Sequence, residues 1–176
     1  MSTTLQQVPT GTYGIDPIHS TIGFGVRYNK LATFRSTFEK VDGQLADGVL
    51  TGSADASSIV IDEPNFKGHL MTADFFDVEN TPTITFRSGE IRPADDGSVE
   101  VDGDLTIRGV TKPVTATGTY AAGSDAFGNE RVAFELETTV DRREFGLDWQ
   151  NQLPDGSDAL AWDVTISADL QLVKQA

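Results

Sequence analysis

The sequence contains no cysteine, which removes disulfides, thiolate nucleophiles and thiolate-held metal from consideration. Its two histidines, His19 and His69, fall in no His-Glu-x-x-His or calcium-loop spacing, so neither a metal nor a cofactor is expected. No stretch reaches the roughly 18 apolar residues of a spanning helix. The first fourteen residues carry neither the basic nor the apolar segment of a secretory leader, so a cytoplasmic protein without stable membrane insertion is expected. Positive charge is scarce: 13 lysines and arginines face 27 aspartates and glutamates, for a net charge of −14. That field repels nucleic acid and anionic lipid headgroups at long range, and nucleic acid is not an expected partner. Nucleophile elbows, phosphate loops, dinucleotide fingerprints and paired catalytic carboxylates are all missing, and the serines lack a neighbouring base. No catalytic residue is assigned, and an enzyme is not expected.

What the chain does contain is alternation with a period of two, the mark of a strand with one buried face. In residues 20–28 the apolar side reads Ser20, Ile22, Phe24, Val26, Tyr28 against Thr21, Gly23, Gly25 and Arg27. Residues 99–109 repeat it through Val99, Val101, Leu105 and Ile107. Residues 132–140 do so through Phe134, Leu136 and Thr138, and residues 162–172 through Trp162, Val164, Ile166 and Leu170. Weaker strands are read at 34–41, 43–49, 50–61, 81–90 and 113–120. Turn signals separate them at Asp42-Gly43, Asp47-Gly48, Asp95-Asp96-Gly97, residues 109–113, Phe127-Gly128-Asn129 and Pro154-Asp155-Gly156. Eight to ten short antiparallel strands with no long helix suit an all-β fold, a closed barrel or a sandwich; closure would remove the exposed edges.

One stretch departs from the pattern. Asp62-Glu63-Pro64 opens with acid and an early proline, as a first helical turn prefers, and Thr72 is placed to cap a second turn through Asp77. A short helical insert near residues 63–77 is predicted, as a lid on one mouth. The expected organisation is a disordered tail over 1–9 and one lipid-binding β-barrel domain over 10–176.

The motifs then line up with a known family. Ile15-Asp16-Pro17-Ile18-His19-Ser20 with Ile22-Gly23-Phe24-Gly25-Val26 resembles the opening of YceI-like proteins. Further similar segments are Ser57-Ser58-Ile59, Gly68-His69-Leu70 with Ala73-Asp74-Phe75-Phe76-Asp77-Val78, Pro82 to Ser88, Gly103 to Pro113, and Asp141-Arg142-Arg143-Glu144-Phe145-Gly146-Leu147. Six segments in order, from about residue 13 to the C-terminus, carry the resemblance. Two positions differ from the family's usual pattern: Tyr28 stands where a histidine is common, and Lys67-Gly68 where an Arg-Asp pair is common.

The resemblance implies an extended antiparallel lipocalin-like β-barrel with an apolar tunnel holding a polyisoprenoid or similar amphiphile such as a quinone. The expected wall is Ile22, Phe24, Val26 and Tyr28; Phe38; Phe75 and Phe76 of the insert; Phe86; Leu105 and Ile107; Phe134 and Leu136; and Trp162 and Ile166. His69, Asp74 and Arg142 are the candidates for the ligand's polar end, although hydrogen-bonded structural duty is the commoner fate of such residues. The expected function is non-enzymatic carriage or sequestration of that lipid. The alternative is a barrel filled by its own side chains, serving protein interaction or a stress response. A homodimer stays open.

Overall fold

The fold is seen in a computed structural model that describes residues 7–176. Ten strands follow in chain order: β1 (Thr12–Ile15), β2 (Thr21–Tyr28), β3 (Ala32–Thr37), β4 (Val41–Ala46), β5 (Val49–Asp55), β6 (Thr83–Pro93), β7 (Ser98–Ile107), β8 (Val110–Ser124), β9 (Glu130–Asp141) and β10 (Leu160–Lys174). One α-helix, α1 (Pro64–Met71), lies between β5 and β6, and single 3₁₀ turns occupy Ala56–Ser58 and Arg142–Phe145. Of the tail expected over 1–9, residues 1–6 lie outside the described residues, whereas Val8 packs against the core.

The sheet closes on itself as an eight-membered antiparallel ring, β1-β4-β5-β6-β7-β8-β9-β10 and back to β1, which matches the lipocalin-like fold. β1 joins the ring through Tyr13, which pairs with Leu45 of β4 and Lys174 of β10. Past the bend at residues 16–20, β2 takes over beside β10, from Thr21 opposite Asp169 to Tyr28 opposite Leu160. β3 lies along β2 and reaches the segment after β5 by the Phe38–Ile59 bridge. β1–β2 and β3–β4 therefore act as two long bent strands, each used once at either end.

Two reversals that the sequence marks as turns run otherwise. Asp42-Gly43 sits inside β4, where Asp42 and Gly43 pair with Ser53 and Gly52 of β5, because that ladder overrides the local turn preference. The turn expected over 109–113 is the tight Arg108-Gly109 reversal alone, with both residues at positive φ (53° and 73°). Arg108 is held in that conformation by donating from Nη1 to the carbonyls of Phe75 and Gly146. Pro113 then lies within β8, opposite Asp104. It is tolerated there because β8 and β9 pair only from Thr117 onward, so the missing N–H of Pro113 breaks no ladder.

Alternation places the apolar faces inward, but packing differs along the axis. At the end marked by the Asp47-Gly48 turn, Tyr13, Leu45, Leu50, Val132, Phe134 and Leu172 form a filled core, and the rings of Tyr120 and Phe134 lie 5.1 Å apart. At the other end the apolar residues divide into two separate groups. One is built around Phe38, Ile59 and Leu70, the other around Leu105, Ile107, Val140 and Phe145. The space between them is the hollow described next.

Candidate functional site

The hollow has a volume of about 600 Å³, within the roughly 300–1,000 Å³ typical of small-molecule pockets. It is blind, since the Tyr120–Phe134 core stops it at one end. Its wall is hydrocarbon almost throughout. Five rings run as a chain from the mouth inward: Phe66 on Phe34 (5.4 Å), Phe34 on Phe24 (6.2 Å), Phe24 on Phe38 (6.0 Å) and Phe38 on Phe76 (6.1 Å). Small residues set the width. Ala54, Ala116 and Ala168 leave the floor open, and a Cβ on Gly103 would overlap the Phe86 ring, so that glycine is what lets Phe86 lie flat on β7.

α1 forms one side of the mouth. Glu63 caps it, its carboxylate accepting from the Phe66 amide at 2.6 Å, with Pro64 in the first turn. The second turn runs from Thr72, whose carbonyl accepts from the amides of Phe75 and Asp77. Phe75 and Phe76 are thereby turned into the hollow. The residues after β9 form the opposite side, and the two sides meet where Trp149 lies against His69 (5.4 Å) and Phe75 (5.3 Å).

Every wall residue named from the sequence lines this hollow except two. Phe134 does face inward, but at the blind end, where it is fully buried in the filled core; alternation gives the face and says nothing of depth. Trp162 is displaced by an irregularity in β10. Leu160 and Val164 are paired to Tyr28 and Val26, four residues against two, so the intervening segment bulges and Trp162 leaves the wall. Its indole N–H donates to Asp158 (2.9 Å), and the guanidinium groups of Arg142 and Arg143 lie 4.2 and 4.6 Å from the ring centre.

The three polar candidates have distinct positions. His69 lines the mouth; its Nε2 lies 3.0 Å from Asp74 Oδ2, and its ring meets Phe75 edge-on at 5.1 Å. Asp74 itself is exposed and stands outside the wall, reaching the hollow only through His69. Arg142 touches the hollow but is 3% exposed. It donates from Nε to Ala161, from Nη1 to Leu147 (2.6 Å) and Trp149 (2.7 Å), and from Nη2 to Leu160, all backbone carbonyls. Burial presses its pKa down, opposed by the charge of Asp141, yet a guanidinium keeps its charge at any ordinary pH. The neighbouring Asp141 pairs with Arg143 (2.6 Å), which holds the Asp141 pKa down at about 2.

Sequence reasoning passed over Phe34, Leu70, Ile84, Leu147, Trp149 and Leu160 of the wall. Ile84 shares the period of Phe86 and was legible. Leu147 and Trp149 lie in irregular backbone, where no periodicity points to a face. Among the described residues no group of three or more His, Asp or Glu is placed to hold a metal, and no helix is long and apolar enough to cross a membrane.

Comparison with known proteins agrees with this architecture. A UPF0312 protein of Vibrio cholerae is 30% identical over 137 residues, covering 73% of this chain and 72% of its own length. One from Pseudomonas putida is 30% identical over 139 residues, covering 73% and 71%. Among solved structures, Burkholderia cenocepacia BcnA superposes with a TM-score of 0.71 at 20% identity, covering 89% of this chain and 98% of that one. A polyisoprenoid binding domain from Saccharophagus degradans, implicated in plant cell wall breakdown, superposes with a TM-score of 0.70 at 13% identity, covering 93% and 98%. The YceI-like domain matches residues 13–172, nearly the whole ring of strands, and the chain belongs to that family.

Proposed function

We propose that this barrel binds an amphiphile with a chain-like apolar tail, an isoprenoid or a comparable lipid, and carries or sequesters it without chemical change. The observation that carries the reading is the blind hollow of about 600 Å³, walled by aromatic and aliphatic side chains and open at the α1 end. The reading gains support from the Saccharophagus degradans domain, described as polyisoprenoid binding and built on the same fold. The alternative of a barrel filled by its own side chains describes only the Tyr120–Phe134 end.

Each methylene moved from water into such a wall gains about 0.8 kcal/mol, and ordering the chain and the loss of free motion offset part of that gain. Tail burial thus sets affinity, and the blind end sets the length of tail that fits. The polar end is uncharged in this reading, an alcohol or a quinone rather than a phosphate. Arg142 is the one lysine or arginine among the lining residues, and it is committed to four carbonyls. His69, tied to Asp74, the Tyr28 hydroxyl and the Trp149 indole N–H offer the mouth's remaining polar contacts.

Organic extraction of the purified protein followed by mass spectrometry tests this. Recovery of a stoichiometric lipid with an uncharged head is expected. Repeated extraction of none, together with no saturable uptake of added isoprenoid alcohol, would overturn it.

A further inference from the structure

The apolar wall does not stop at the mouth. It continues onto the surface at the tip of the β2–β3 hairpin and the start of α1, where Leu31 is 80% exposed, Tyr28 43% and Phe66 40%. Phe66 and Tyr28 also line the hollow, so hydrocarbon runs unbroken from the outside of the rim to the interior. A soluble lipid carrier has no use for such a rim when closed on its ligand, and single exposed residues need no explanation, but a continuous rim around a lipid cavity does.

The hairpin beside this rim is a local exception to the acidic surface. Residues 17–38 contain Arg27, Lys30 and Arg35 and no carboxylate, in a chain of net charge −14. Register puts Gly25 opposite Arg35 and Arg27 opposite Thr33, so both arginines stand on the outer face of the hairpin, diagonal to one another. Both are exposed, and neither has a carboxylate partner among the described residues. Lys30, at the tip, is attracted to Asp155 of the neighbouring loop. At the opposite end the hairpin turns carry Asp47, Asp95, Asp96 and Asp125. The mouth end carries carboxylates as well, Asp62 and Glu63 before α1, Asp74 and Asp77 after it and Asp148, Asp155 and Asp158 after β9, so attraction to an anionic surface is local to the carboxylate-free outer face of the hairpin.

We infer that the mouth docks on an anionic phospholipid surface, Leu31 and Phe66 entering the interfacial layer while Arg27 and Arg35 meet lipid phosphates. The ligand then passes between bilayer and hollow along the rim without crossing water. This inference rests on the lipid-binding reading for its purpose, though not for its test.

The test is flotation of the whole protein with vesicles of phosphatidylcholine alone or mixed with phosphatidylglycerol, at low and high salt. Binding to the mixed vesicles at low salt, lost at high salt and weak on phosphatidylcholine, is expected. The Arg27→Gln/Arg35→Gln variant should lower partitioning roughly tenfold or more, and Leu31→Ser several-fold, with circular dichroism and extracted lipid unchanged. No flotation of the unaltered protein, equal flotation on both vesicle types, or flotation unaffected by these substitutions overturns the docking. Lipid recovered by extraction without flotation removes the docking and keeps the cavity reading; flotation without any recoverable lipid does the reverse.

Discussion

The Arg142 guanidinium lies 4.2 Å from the centre of the Trp162 ring, sandwiched between that indole and the carbonyls of the 147–161 segment. One side chain from the end of β9 thus fixes the loop that closes one side of the mouth. Replacing it with methionine strands four carbonyls, two of them on Leu147 and Trp149 of the wall. A fall in Tm of roughly 6–12 °C is expected for Arg142→Met. Lysine should not rescue it, because a compact ammonium cannot span four fixed acceptors. Thermal denaturation checks this; a variant of unchanged Tm that merely loses ligand would instead make Arg142 a ligand contact.

Filling the hollow should separate binding from folding. Ala168 lines it and pairs with Ile22 and Leu136 on the neighbouring strands. Ala168→Phe puts a ring into empty space, so Tm should hold or rise while extractable lipid and uptake of added isoprenoid are lost. Lipid content equal to that of the unaltered protein would place the ligand elsewhere.

The hydroxyl of Tyr120 is buried without a hydrogen-bond partner among the described residues, and burial raises its pKa. An orphaned hydroxyl costs more than it contributes. Tyr120→Phe, which keeps the contact with Phe134, should therefore stabilise the protein by about 1 kcal/mol, or about 2–4 °C in Tm. Scanning calorimetry decides it, and a lower Tm would reveal a partner for that oxygen.

Arg131 bridges Asp16 at 2.9 Å and Asp125 at 2.7 Å, tying the β1–β2 bend to the β8–β9 turn. Its hydrogen bonds are the largest influence holding both carboxyl groups well below the usual range, with His19 assisting at Asp16 and Asn129 at Asp125. Groups with depressed folded pKa values stabilise fully above their unfolded value, about 4 for aspartate, and lose that contribution as pH falls toward the folded values. Stability should accordingly decline with acid below about pH 4. Arg131→Gln should lower Tm at neutral pH and flatten the acid slope. Melting curves across that range test it, and an unaltered slope would contradict the clasp.

How much of this was legible beforehand differs between elements. The paired faces of β2, β7 and β9 follow from alternation alone, since a strand with one wet side must segregate its residues. β1, four residues long, carries too short a pattern to be read, and it is held by distant partners, Tyr13 pairing with Leu45 and Lys174. The lid was legible from Pro64 and its acidic cap because helix starts obey local chemistry. Trp149 was not, because its place beside His69 depends on Arg142 gripping the loop.

By itself the sequence determined an antiparallel all-β fold with an apolar interior, and which side of most strands faces it; closure into a barrel rather than a sandwich was implied by the family resemblance and is seen in the β1–β10 pairing. Period-two patterning and turn chemistry are local, and solvent enforces them residue by residue. Only the tertiary structure decided where that interior is solid and where it is hollow. Depth along the barrel depends on which side chains from distant strands arrive at the same level: Tyr120 and Phe134 meet and fill one end, while the small Ala116 and Ala168 next to that plug leave the floor of the hollow open.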